Sequence, residues 1–336
     1  MAEPNPPHSL YTIPDFQFAG GVRKKINIAY RSINPTSTKG TVLILTCYGG
    51  HINTTLTFTT GALKDYHVVV VAMIGNGESS SPSNDPDFPK DYSLRYEDCI
   101  NAQYALLTRH LGVERLETVV GFSMGGQQAY YWAVMHGVGA TPFVKRAVVI
   151  CSSAKTSGHN YAFLEGPVSA LRASGDYYGG RYRENGVKPL GGLRAFGRAY
   201  AAWLTSAEWF RLELWRVLGA GSLHEWLEME VRSSEEWDAE DLIVLARMWQ
   251  KGDVGAVGGG GDWKAALGKV EAKVLVMPCV SDQYFLAAEG EREVECLKNG
   301  RYEPIASVWG HMAGGGACEE DTRFMDERIG RFLSEE

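Results

Sequence analysis

The residues best suited to covalent chemistry stand in segment 121–126, which reads GFSMGG. Its serine, Ser123, follows an apolar run that predicts a buried strand and precedes a run that predicts a helix. A serine at such a turn has a strained backbone, needs small neighbours and projects its hydroxyl above the sheet. The positive end of the following helix favours negative charge there. The pattern therefore predicts that Ser123 is a nucleophile.

A serine nucleophile needs a base to take its proton and an acid to orient that base. When the serine lies between a strand and a helix, the acid follows it along the chain and the histidine comes last. Asp282 stands just past the apolar run 273–279, and His311 follows run 303–310 on a glycine-rich loop. The other seven histidines lack this placement. We therefore predict a catalytic triad of Ser123, His311 and Asp282.

Acyl transfer also needs N–H groups that stabilise the oxyanion of the tetrahedral intermediate. The N–H of Met124, directly after the serine, is predicted to be one of them. Either Tyr48 or Gly49, in the loop after the apolar run 41–47, supplies the second, and the sequence leaves this choice open. Substrate contacts are predicted for Gly50, His51, Phe122, Trp203 and Tyr284.

These residues are positioned by strands and helices that alternate along the chain. Near-continuous valine, isoleucine and leucine runs predict strands buried on both faces of a parallel sheet. After an irregular arm at 1–20, such runs cover 22–33, 41–48, 67–74, 117–122, 146–151, 273–279 and 303–310. Segments of helical length occupy 95–111, 127–136, 289–296 and 321–333. The alternation predicts an α/β fold with a mostly parallel central sheet flanked by helices.

The alternation stops between residues 153 and 262, where leucine, phenylalanine and tryptophan recur every three or four positions. This spacing predicts helices. We therefore predict a core of residues 1–152 and 263–336, and a helical lid of residues 153–262 inserted after the sixth strand. Most tryptophans of the lid should pack it against the core, and one or two should line a substrate pocket. The glycine-rich stretch 252–263 predicts a flexible connection.

The composition limits the partners. The chain has 336 residues and a net charge of -7, which argues against a nucleic acid or a membrane surface as partner. No run of 18 apolar residues predicts a membrane span, and the polar N-terminus is unlike a signal peptide, so a cytoplasmic protein is expected. The six cysteines form no CxxC pair and the histidines show no metal-binding spacing. Neither a metal nor another cofactor is predicted, and the expected partner is a small ester or thioester.

Together these motifs resemble the homoserine O-acetyltransferase-like branch of the α/β-hydrolases, from about residue 16 to residue 333. The similar segments are DFQFAGGVRKKINIAYRSIN, GFSMGGQQAYYWA, GLRAFGRAYAAWLTSAEWF, MPCVSDQYF and WGHMAGGG. The resemblance implies the α/β-hydrolase fold, acyl-transfer chemistry and a homodimer, which many related transferases form.

One block of the sequence differs from the homoserine acetyltransferases. Residues 75–84 read GNGESSSPSN, whereas homoserine acetyltransferases begin this block with Asn-x-x-Gly-Gly and end it with Ser-Thr-Gly-Pro. This difference argues against homoserine and acetyl-CoA as substrates.

Three functions are compatible with these residues. The first is a serine hydrolase that cleaves an ester, thioester or lactone of a small metabolite, favoured by the aromatic lid and the lack of an adenine-nucleotide motif. The second is an O-acyltransferase that passes an acyl group from a thioester donor such as acyl-CoA to an alcohol, favoured by the resemblance. The same triad serves both reactions. The third, a non-catalytic ligand receptor on the same fold, is disfavoured by the complete triad.

Overall fold

The computed structural model describes residues 8–89 and 94–335, which form one eight-stranded sheet. Its strands lie in the order β1-β2-β4-β3-β5-β6-β7-β8. The β1–β2 and β2–β4 pairings are antiparallel and the other five are parallel, so the predicted mostly parallel sheet is confirmed. The strands are β1 Ser9–Gln17, β2 Arg23–Ile33, β3 Thr41–Leu45, β4 His67–Val71, β5 Leu116–Phe122, β6 Arg146–Ile150, β7 Lys273–Met277 and β8 Gly300–Tyr302.

Both faces of the central strands are buried. In β4, Val69 and Val71 join one apolar cluster, while Val68 and Val70 join another on the opposite face. Successive residues of a strand point to opposite faces, so a continuous valine run suits a strand that is covered on both sides.

Eleven α-helices occur in the described part of the chain. They are α1 Tyr96–Ala105, α2 Met124–His136, α3 Gly158–Arg172, α4 Leu190–Ala201, α5 Ala207–Arg211, α6 Leu223–Glu236, α7 Ala239–Gln250, α8 Gly255–Gly258, α9 Trp263–Leu267, α10 Ala287–Cys296 and α11 Glu319–Ser334. Helix α2 packs on one face of the sheet and α11 on the other. None of the helices at 8–89 and 94–335 combines the length and the apolar character that a membrane crossing needs.

The two outermost strands differ from the sequence predictions. The irregular arm predicted at 1–20 contains β1, and its residues 1–7 lie outside the described part. Only Ile13 and Phe16 of β1 are buried, and the pairing shifts between them, so no clear alternation marks this strand. At the other edge, β8 lies before the predicted run 303–310. That run adds only an isolated bridge from Ile305 to Cys279.

Helices α3 to α9 occupy the chain between β6 and β7, where helices were predicted. The glycine-rich stretch 252–263 differs from the prediction, because it forms a tightly packed corner that includes α8 rather than a loose connection. A Cβ atom on Gly258 would lie 2.2 Å from the Val134 side chain of α2, and one on Gly255 would lie 2.7 Å from the backbone nitrogen of Trp263. The glycines are needed there for close approach.

Glu293 of α10 is a buried carboxyl that links α10 to α2 and to the segment after β6. It accepts hydrogen bonds from the Tyr130 hydroxyl of α2 at 2.8 Å and from the Ala154 backbone N–H at 2.7 Å. Burial raises the pKa of Glu293 from 4.5 to about 8. The folded state therefore keeps a proton that the unfolded chain releases. Through this group, the free energy of unfolding should decrease as the pH rises through that window.

We expect Glu293→Gln to flatten this decrease, because glutamine stays neutral at every pH. Denaturant unfolding between pH 5 and pH 9 measures how the free energy of unfolding changes with pH. Over this range the wild type should lose more of that free energy than the variant, by on the order of a few kcal/mol. Glu291→Gln, at an exposed position on the same helix, is the control and should keep the wild-type slope. Equal slopes for wild type and Glu293→Gln would contradict the prediction.

Candidate active site

Ser123 occupies a sharp turn between β5 and α2. Its backbone has φ 57° and ψ -125°, a conformation that residues with side chains rarely adopt. The neighbouring glycines make room for this turn. A Cβ atom would lie 1.9 Å from the Gly125 carbonyl oxygen if placed on Gly121, and 2.5 Å from a β3 carbonyl oxygen if placed on Gly125. A Cβ atom on Gly126 would lie 2.5 Å from the side chain of Ser152. The glycines of GFSMGG thus hold the serine in its strained position.

Ser123, His311 and Asp282 form one buried hydrogen-bonded line. The Nε2 atom of His311 lies 2.8 Å from the Ser123 Oγ atom, and Nδ1 lies 2.7 Å from Oδ2 of Asp282. An ionised Asp282 can only accept, so Nδ1 donates to it and Nε2 is left to accept the serine proton. The Oδ1 atom of Asp282 accepts the backbone N–H groups of Tyr284 at 2.7 Å and Phe285 at 3.3 Å. This arrangement can activate a serine for attack on a carbonyl carbon.

Aromatic rings hold the imidazole of His311 in place. The rings of Phe122 and Tyr284 each have their centres 4.6 Å from the imidazole centre, and that of Phe285 lies at 5.6 Å. Gly310, directly before the histidine, has φ 61°, and a Cβ atom there would lie 2.5 Å from the backbone of Thr205. The loop therefore requires glycine at this position to bring His311 close to Ser123.

The turn after β3 lies beside Ser123. The Gly50 N–H donates to the Cys47 carbonyl at 3.1 Å, and Gly49 has φ 67°, which favours glycine at the third position of the turn. No hydrogen bond within the described residues engages the N–H groups of Tyr48, Gly49 or Met124. Tyr48 and Gly49 line the same cavity as Ser123. All three predicted oxyanion donors thus lack a hydrogen-bond acceptor among the described residues.

Ser123 and His311 open into a cavity of about 240 Å³. Its walls are mostly apolar, and they come both from the sheet edge and from the helices between β6 and β7. Phe196 and Tyr200 of α4 form part of one wall. Further lining comes from α6 and the residue just after it, namely Glu230, Ser233, Ser234 and Trp237. No group of three or more His, Cys, Asp or Glu side chains at 8–89 and 94–335 is placed to hold a metal ion.

One of the five predicted substrate residues lines the cavity and the other four do not. Phe122 lines the cavity. Tyr284 is fully buried, with its ring edge-on to His311, and it does not line the cavity.

The structure does not bring Gly50, His51 and Trp203 into the cavity. Gly50 closes the turn after β3, and a Cβ atom placed on it would lie 2.8 Å from the sulfur of Cys47. The ring of His51 stacks on the ring of Trp237, with the two centres 4.5 Å apart; Trp237 lines the cavity and His51 does not. Trp203 packs at 4.8 Å on Phe163. Each of the three residues is engaged by local packing that the sequence alone did not show.

Sequence reasoning missed the contribution of α6. Glu230, Ser233, Ser234 and Trp237 follow the spacing i, i+3, i+4, i+7, which places them on one face of a helix. A helix face that only packs against a core is apolar. Three polar residues on the same face as a tryptophan could therefore have indicated that this face borders a cavity.

The chain resembles both esterases and acyltransferases of known type. Residues 40–191 match a family described as the alpha/beta hydrolase fold. An ethyl acetate hydrolase of Pseudomonas veronii is 34% identical over 273 residues, which cover 80% of this chain and 76% of that protein. A homoserine O-succinyltransferase of Burkholderia pseudomallei is 31% identical over 261 residues, covering 70% and 67%. The solved structure of the acetyl esterase MekB is similar with a TM-score of 0.92 at 30% identity, covering 98% of this chain and 97% of that one.

Proposed function

Because this chain belongs to the α/β-hydrolase family, as its resemblance to the homoserine O-acetyltransferase-like branch predicted, we propose that it is a serine esterase acting on small acyl esters. The observation that carries the proposal is the hydrogen-bonded line of Ser123, His311 and Asp282 at a small, mostly apolar cavity. The similarity to an ethyl acetate hydrolase and to an acetyl esterase supports a short acyl group.

In this mechanism, Nε2 of His311 takes the proton of Ser123 while the serine oxygen attacks the ester carbonyl. Asp282 keeps the imidazole in the required tautomer and stabilises its positive form. The N–H of Met124, with that of Tyr48 or Gly49, stabilises the oxyanion. His311 then protonates the leaving alcohol, which leaves an acyl group on the serine. A water molecule, activated by the same histidine, releases the acid.

The helices between β6 and β7 serve as a lid in this proposal. Phe196 and Tyr200 of α4, with Trp237 after α6, supply the aromatic side of the cavity. Such walls hold an apolar substrate and limit the number of water molecules around the acyl-enzyme. The division into a core of residues 1–152 and 263–336 and a lid of residues 153–262 is part of the same proposal.

Acyl transfer is the second candidate, favoured by the similarity to a homoserine O-succinyltransferase. Homoserine and the succinyl group each carry a carboxylate, which a binding site usually pairs with lysine or arginine. The described cavity lining contains neither residue type. Gly77 and Glu78, in the block that differs from homoserine acetyltransferases, do not line this cavity but a separate pocket, which shares Trp237 with it. Hydrolysis of a neutral acyl ester is therefore the better fit.

The partition of the acyl-enzyme tests this choice. The protein is mixed with p-nitrophenyl acetate, and separately with acetyl-CoA, each with and without homoserine or a simple alcohol. Mass spectrometry identifies the products, and Ser123→Ala provides the blank. We expect free acetate from the nitrophenyl ester whichever acceptor is present. Acetylated acceptor as the main product would contradict the esterase proposal and establish a transferase.

A further inference from the structure

Glu230 is a carboxylate that lines the cavity and that the proposed mechanism does not use. It lies on α6, on the face that also carries Ser234 and Trp237, and it lines the same cavity as Ser123 and His311. Its carboxylate makes no hydrogen bond within the described residues, and its backbone carbonyl accepts one from the Ser234 hydroxyl at 3.1 Å. The carboxylate itself is left to interact with whatever occupies the cavity.

Two other glutamates of α6, Glu228 and Glu235, differ from Glu230 in having cationic partners. Glu228 pairs with Arg198 and Glu235 with Arg194, both at the protein surface. No cation within the described residues pairs with Glu230, and the described lining of the cavity contains no lysine or arginine. The cavity thus holds one carboxylate without a counter-charge.

Partial burial makes this carboxylate sensitive to the charge of a ligand. Burial raises the pKa of Glu230 above its usual value, which shows that its ionised form is poorly solvated. The pKa values of Tyr200 and Tyr284 are also raised, mainly by burial. The negative charge of Glu230 raises both pKa values further. Since Tyr284 packs against His311, the field of Glu230 extends to the catalytic end of the cavity.

We propose that Glu230 selects substrates by charge: it favours esters that carry a cationic group, such as an alkylammonium, and disfavours esters that carry a carboxylate. This inference rests on the proposed esterase function and narrows its substrate class. A bound cation would supply the counter-charge that none of the described residues provides, whereas a carboxylate in the same space would be repelled in a medium of low dielectric constant.

Two pairs of esters of matched shape test the proposal on the wild-type protein. Acetylcholine is compared with 3,3-dimethylbutyl acetate, which replaces the cationic nitrogen with carbon. Monoethyl succinate is compared with ethyl succinamate, which replaces the carboxylate with an amide. We expect kcat/KM to be about tenfold higher for the cationic ester than for its neutral partner, and about tenfold lower for the anionic one. If kcat/KM for the cationic ester were equal to or lower than that for its neutral partner, the proposal would be overturned by the wild-type measurements alone.

The variant Glu230→Gln should bring both ratios towards one, and Glu230→Lys should invert them. Glu228→Gln is the matched control, because it removes the same charge two residues away on the opposite side of α6, where solvent screens it. Its ratios should stay at the wild-type values. If both Glu230 variants still hydrolyse the esters with the wild-type ratios, the role of Glu230 is overturned, while the esterase proposal stands. No Ser123-dependent hydrolysis of either neutral ester would overturn the esterase proposal and, with it, this inference.

Discussion

Ser123→Ala should abolish acyl-enzyme formation and lower kcat/KM for a small ester by about a millionfold, the loss expected when a serine nucleophile is removed. The change deletes one oxygen atom, whose described hydrogen bond is the 2.8 Å contact with Nε2 of His311. The strained backbone at φ 57° is no worse for alanine than for serine, since both carry a Cβ atom. The variant should therefore fold as the wild type does.

Mass spectrometry of the protein after mixing with p-nitrophenyl acetate measures this prediction directly. The wild type should gain one acetyl group during the first turnover, and Ser123→Ala should gain none. Ser153→Ala is a suitable control, because it also removes a buried hydroxyl near the ends of the strands, one that donates to the Lys155 carbonyl. An acetyl group that still appears on Ser123→Ala would place the nucleophile elsewhere.

The meeting of Ser123, Asp282 and His311 in one place could be predicted because each follows its own strand signal. Ser123 comes after β5 and Asp282 after β7, and these strands are separated only by β6 in the sheet. His311 follows the segment that bridges to the end of β7. The carboxyl ends of parallel strands meet at one edge, so residues that are far apart in sequence converge there. Local patterns and one topological rule were sufficient.

The cavity could not be predicted in the same way, because its walls depend on how separate helices pack. The spacing of Phe196 and Tyr200 predicts that they share a helix face, but not that this face meets the sheet edge. His51 was predicted to contact substrate from its place in the loop after β3. It lies outside because its ring stacks on Trp237, which is distant in sequence. The edge strands β1 and β8 were missed for a related reason, since half-exposed strands carry little apolar signal.

Asp282→Asn should lower kcat by about ten-thousandfold while leaving the fold intact. The backbone N–H groups of Tyr284 and Phe285 donate to Oδ1 of Asp282, so the oxygen of an asparagine must occupy that side. Its NH₂ group then points at Nδ1 of His311, where it can only donate. The imidazole is forced to carry its proton on Nε2, facing Ser123, and it can no longer accept the serine proton.

Nitrogen NMR of the His311 ring separates this explanation from a loss of structure. In the wild type the proton should reside on Nδ1, and in Asp282→Asn on Nε2, with melting temperatures that stay close. Asp241→Asn is the control, because it alters another buried aspartate, one that accepts hydrogen bonds from Ser83 outside the triad. That variant should keep both the wild-type tautomer and most of the activity. Near-normal kcat in Asp282→Asn would mean that another group orients the base. An unchanged tautomer with low kcat would instead attribute the loss to the missing negative charge.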